Sequence, residues 1–118
     1  MPDDSVESQT QFYSVLPDQP VELWVVVGDA QAGGTSVTIG DGTLLLTDGR
    51  LNLGPGASLR NKLAHCITTV KDVNPDTNRA DVTYHLAGGA DGEQSFPFTG
   101  TIAEDGGFAR FFIDIAFL

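Results

Sequence analysis

The last eleven residues, Phe108–Leu118 (FARFFIDIAFL), constrain the fold more than any other stretch of the chain. Ala109, Phe111, Ile113, Ile115 and Phe117 fall on one side of a period-two pattern and are all apolar. Phe108, Arg110, Phe112, Asp114, Ala116 and Leu118 fall on the other side, which is mixed. Alternation of this kind marks a strand, because successive side chains of a pleated backbone point to opposite faces. A strand with one apolar face and one half-apolar face predicts a place inside a sheet or against a partner, rather than a bare edge.

The rest of the chain repeats the pattern in shorter pieces. Strands are predicted over 12–16, 21–27, 36–39, 43–47, 50–53, 63–73, 78–86, 95–102 and 108–118. Gly-rich and Pro-containing segments separate them, and Asp-Gly pairs at 41–42, 48–49, 91–92 and 105–106 mark tight turns, since Gly accepts positive φ and Asp tolerates it. Residues 36–53 read as a meander of three strands. Leu63–Val73 and Asn78–Leu86 read as a hairpin around Asn74-Pro75-Asp76-Thr77. Its register pairs Lys71 with Asp81, Thr69 with Thr83 and Val70 with Val82, three mutually supportive cross-strand pairs. Segments 95–102 and 108–118 read as a second hairpin. Pro97 lacks an amide donor and sends its strand to an edge or a bulge. Gly28–Gly34 reads as a loop, and Ala57–Ala64 is the one place for a helical turn.

Strands at this spacing define an all-β fold, an antiparallel two-sheet sandwich of eight to nine strands. An immunoglobulin-like winding is the first expectation and a jelly roll the second, although the Cys–Trp–Cys set of true immunoglobulin domains is missing. Residues 1–10 are polar and acidic without periodicity, which predicts a flexible arm ahead of one domain over 11–118. At 118 residues the chain is long enough to bury a core without staples.

Charge narrows the partners. Sixteen acids against six bases leave a net charge of -10. Duplex nucleic acid and anionic membrane would be repelled, so neither is expected as a partner. No apolar run reaches the length of a membrane helix. The N-terminus has neither a basic nor an apolar segment of the kind that opens a signal peptide. Cys66 is the only cysteine, which excludes an internal disulfide and leans towards a reducing, cytoplasmic compartment.

Candidate chemistry is sparse. In the hairpin register above, His65 and His85 share one sheet face, where a metal would need a third ligand that no motif supplies. Cys66 neighbours His65 in sequence but points to the opposite face, so the pair does not form a thiolate–imidazole couple. The Asp-Gly pairs lack the Asp-x-Asp-x-Asp-Gly spacing and trailing Glu of a calcium loop. No phosphate-binding loop, nucleophile elbow or zinc-protease motif occurs. No catalytic, cofactor or metal residues are therefore assigned. What remains is the second apolar row of the last strand, Phe108, Phe112 and Leu118, read as a docking face. The expected function is that of a non-catalytic sandwich binding another protein or a second copy of itself. The alternative is a module that takes sugar or calcium through its Gly/Asp loops.

Overall fold

A computed structural model of the chain describes residues 5–28, 32–40, 42–46, 50–71, 79–101 and 107–118. Among these residues nine strands form two sheets, with one short helix. The strands are β1 (Ser5–Tyr13), β2 (Pro20–Val27), β3 (Ala32–Ile39), β4 (Gly42–Leu46), β5 (Leu51–Pro55), β6 (Leu63–Lys71), β7 (Arg79–Ala87), β8 (Gln94–Thr101) and β9 (Phe108–Phe117), with α1 (Gly56–Leu59) between β5 and β6. A five-stranded sheet runs in the order β1-β9-β6-β3-β4 and a four-stranded sheet in the order β5-β2-β7-β8. All described pairs are antiparallel except β1 on β9.

The alternation read in the last strand places it correctly. Ala109, Phe111, Ile113, Ile115 and Phe117 are wholly buried, and β9 lies between β1 and β6. Ala64, Cys66 and Val70 of β6 lie beside them in the same sheet, and Ala80, Val82, Tyr84 and Leu86 of β7 belong to the same core from the other sheet. Rings bridge the layers: Phe98 meets Tyr84 edge-on at 5.6 Å and Phe111 at 5.9 Å between centroids. Such geometry sets positive ring edges on negative ring faces. One polar chain is buried among them. The Thr35 and Thr68 hydroxyls lie 2.7 Å apart, Thr68 also bonds the Tyr84 hydroxyl, and Tyr84 reaches the Phe111 carbonyl at 3.5 Å. Burial, partly offset by the Thr68 bond, raises the Tyr84 pKa.

Several pairings differ from the sequence expectation. The 63–73 and 78–86 strands do not form a hairpin. β6 pairs with β3 and β9, whereas β7 pairs with β2 and β8 in the other sheet. Thr69 therefore lies opposite Arg110 and Gly34, and Thr83 opposite Val26 and Pro97. Likewise 95–102 and 108–118 lie in different sheets. The three-strand meander stops at two, because β5 leaves β4 and pairs with β2. The physical reason is common to all three. Two apolar-inward strands satisfy the same side-chain pattern as neighbours in one sheet or as partners across the core, about 10 Å apart. A connection of four to seven residues allows either outcome, whereas a two-residue turn dictates pairing. The turn residues at 47–49, 72–78 and 102–106 lie outside the described residues. Where the connection is tight, the expectation holds: β3 and β4 pair with Ile39 opposite Gly42, and Gly40 supplies a φ of +59°.

Of the N-terminal arm expected over 1–10, residues 5–10 are strand instead, and residues 1–4 lie outside the described residues. Ser5–Thr10 belong to β1, which runs beside β9 in unbroken register from Ser5–Ala109 to Tyr13–Phe117. Polar side chains without periodicity hid this strand, because its pairing is made by backbone. The loop expected over 28–34 shortens as well, since Ala32, Gly33 and Gly34 pair with Lys71, Val70 and Thr69. Pro97 sits on β8, an edge strand, as its missing donor requires. The helical turn forms at Gly56–Leu59 and buries Leu59.

The sandwich is knitted at the end where β1 and β9 finish. The Val15 amide donates to the Leu118 carbonyl and the Leu118 amide to the Tyr13 carbonyl, both at 3.0 Å. The Tyr13 hydroxyl donates to the Gly92 carbonyl and accepts from the Gly89 amide, each at 2.8 Å. Tyr13 thereby fastens the five-stranded sheet to the connection between β7 and β8.

Candidate functional site: the outer face of the five-stranded sheet

The register lays out this face residue by residue. Phe112 of β9 stands opposite Ile67 of β6. Ala116 stands between Leu63 of β6 and Phe12 of β1. Phe108 stands opposite Lys71. Exposure is high for apolar side chains: 64% for Phe12, 40% for Phe108, 38% for Ile67 and 37% for Leu63. Leu118, one residue past β9, is 53% exposed with its backbone held by Tyr13 and Val15.

Phe108, Phe112 and Leu118 thus lie on one side of the last strand, but Arg110, Asp114 and Ala116 interrupt them. Continuity comes sideways, from strands on either flank. Phe12, Leu63 and Ile67 complete the surface, and the sequence reading missed their part in it. Leu63 and Ile67 do alternate around His65, which is a readable signal, but it gains meaning only once β6 is known to neighbour β9. Near the centre, His65 Nδ1 lies 2.5 Å from Asp114 Oδ1, across paired positions of β6 and β9.

The two histidines do not share a face. His65 is on the outside of the five-stranded sheet, and His85 is on the outside of the four-stranded sheet. His85 stacks on Trp24 at 5.2 Å between centroids with planes 9° apart, and its Nδ1 is 2.9 Å from the Ser95 hydroxyl. The Arg50 guanidinium sits 3.9 Å from the Trp24 ring centroid and 3.8 Å from Glu22. Trp24 is therefore flanked by a cation from the β5 side and an imidazole from the β7 side. An Asp–His pair on one sheet and a Ser–His pair on the other are separated by the whole core. Neither assembles nucleophile, base and orienting acid together, which is what acyl transfer needs. Among the described residues, no group of three or more His, Cys, Asp or Glu side chains is placed to hold a metal ion.

Cys66 is buried on the inner face of β6, opposite in direction to His65. Burial, with a smaller push from the Asp114 charge, holds its thiol up at about 12. Below the unfolded thiol value near 9 both states are neutral, so the fold loses nothing there. Above it the unfolded chain ionises first, and this group removes about 1.4 kcal/mol of stability per pH unit until the folded value is reached. At pH 8 a thiol reagent is expected to leave the native protein unlabelled and to label it only as urea unfolds it. Rapid native labelling would contradict the burial of β6.

By fold the chain is an all-β two-sheet sandwich. Compared with protein families, curated proteins and solved structures, it finds no match in any of the three.

Proposed function

We propose that this chain is a non-catalytic β-sandwich domain that works by protein–protein contact through the outer face of its five-stranded sheet. The observation that carries the reading is lateral. Three adjacent strands each contribute exposed apolar side chains, Phe12 from β1, Phe108 from β9, Leu63 and Ile67 from β6, with the half-buried Phe112 of β9 among them. An apolar surface built from several strands is a recognised mark of an interaction site. The net charge of -10 favours a partner with a neutral or basic rim and disfavours nucleic acid. The alternative, a sugar- or calcium-binding module, has less support, because the sole tryptophan already has Arg50 and His85 against it. For the winding, β8 and β9 lie in different sheets, whereas an immunoglobulin-like fold ends on two neighbouring strands of one sheet. This favours the jelly-roll reading.

Phe112→Asp, checked by circular dichroism for an unchanged fold, tests the face. Immobilised wild-type protein is expected to retain a partner that the variant loses. An identical retained set for both proteins would sink the reading. A thermal shift with calcium or a glycan, but not with EDTA, would move support to the alternative.

A further inference from the structure

We propose that the free edge of β1 pairs with β1 of a second copy, joining two five-stranded sheets into one continuous sheet across a two-fold axis at Gln9. The inference concerns the edge of this sheet and goes beyond the reading of its outer face.

An edge strand presents unpaired N–H and C=O groups that template another strand, and proteins blunt such edges with proline, lysine, bulges or short length. Among the described residues four strands end a sheet: β1, β4, β5 and β8. Three of them are blunted. β4 has only five residues. β5 also has five, ends on Pro55, and pairs with β2 through a register shift between Val21 and Glu22. β8 carries Pro97 in its middle. β1 differs from all three. It is nine residues long (SVESQTQFY), has neither proline nor lysine, and keeps unbroken register along its whole length. It also carries a single charge, Glu7, in a chain whose net charge is -10, so two copies meet here with little repulsion.

The strand is self-complementary in one register. Antiparallel pairing centred on Gln9 matches all nine residues. It sets Phe12 of one copy opposite Val6 of the other, Thr10 opposite Ser8, Gln11 opposite Glu7 and Tyr13 opposite Ser5. Inner-face positions pair with inner-face positions, which a one-residue slip would destroy.

Sedimentation of the full chain at about 150 mM salt, where the Debye length is about 8 Å, is expected to give a concentration-dependent dimer. Gln9→Lys sets like charges directly opposite each other and is expected to return a monomer with an unchanged circular dichroism spectrum. Under mild oxidation Gln9→Cys is expected to form a disulfide-linked dimer. Gln11→Cys is not, since its two thiols would lie about 14 Å apart along the strands, beyond disulfide reach. The natural Cys66 is buried and adds no background. Phe112→Asp is expected to leave the dimer intact, which separates this test from that of the outer face. A wild-type monomer at all concentrations, a dimer that survives Gln9→Lys, or equal cross-linking of the two cysteine variants would overturn the proposal.

Discussion

Gly88→Ala is expected to remove most of the stability of this domain, a loss of about 3–5 kcal/mol from the roughly 5–15 kcal/mol typical of a single domain. Two independent penalties coincide there. Gly88 has a φ of +97°, a backbone conformation that L side chains rarely adopt. An added Cβ would also stand 2.0 Å from the Pro20 carbonyl oxygen and 3.3 Å from the Val21 Cα. Backbone cannot rotate away as a side chain can. Val21 is wholly buried, and Glu22 is paired with Ala87 one residue before the glycine, so both sides of the clash are held. Gly92→Ala separates the two penalties. It has a φ of +77° but nothing within 4 Å of the added Cβ, so it is expected to cost only about 1 kcal/mol. Urea midpoints of the two variants make the comparison. Similar losses would mean that β2 and the end of β7 do not approach as described.

Phe111→Ala carries the second large effect, a loss of about 3–5 kcal/mol from a cavity at the centre of the sandwich. Phe111 is wholly buried, its ring packs against Phe98 at 5.9 Å, and its carbonyl lies beside the Tyr84 hydroxyl. Phe108 on the same strand is 40% exposed, and Phe108→Ala is expected to change stability by under about 1 kcal/mol. The pair tests the assignment of faces on β9 with one residue type on one strand. Phe111→Leu, which keeps part of the volume, should recover part of the loss. A Phe108 variant that is the more damaged of the two would reverse the inner and outer sides of the sheet, and with them the proposed contact surface.

Both variants bear on how far the amino-acid sequence could be read. Phe111 was legible as core, because it belongs to an apolar face repeated at a spacing of two. Gly88 was not. Its requirement comes from Pro20, far away in the chain, and no local pattern announces a carbonyl arriving from another strand. The contact surface divides the same way. Phe108, Phe112 and Leu118 could be picked out along one strand. Phe12, Leu63 and Ile67 joined them only when β1 and β6 were found on either side of β9.

Period-two alternation, a property of single strands, determined by itself that this chain is built of sheets and which side chains line the core, while the missing donor of Pro97 left its strand an edge or a bulge. Tertiary structure alone decided which strand sits beside which. Pairing across a sheet and packing across the core demand the same alternating side chains, and connections of several residues permit both. The choice therefore falls to the collective fit of two whole layers. That fit put β6 and β7 back to back instead of side by side, sent the two histidines to opposite outer surfaces, and drew the polar first strand out of the expected arm onto the flank of the last.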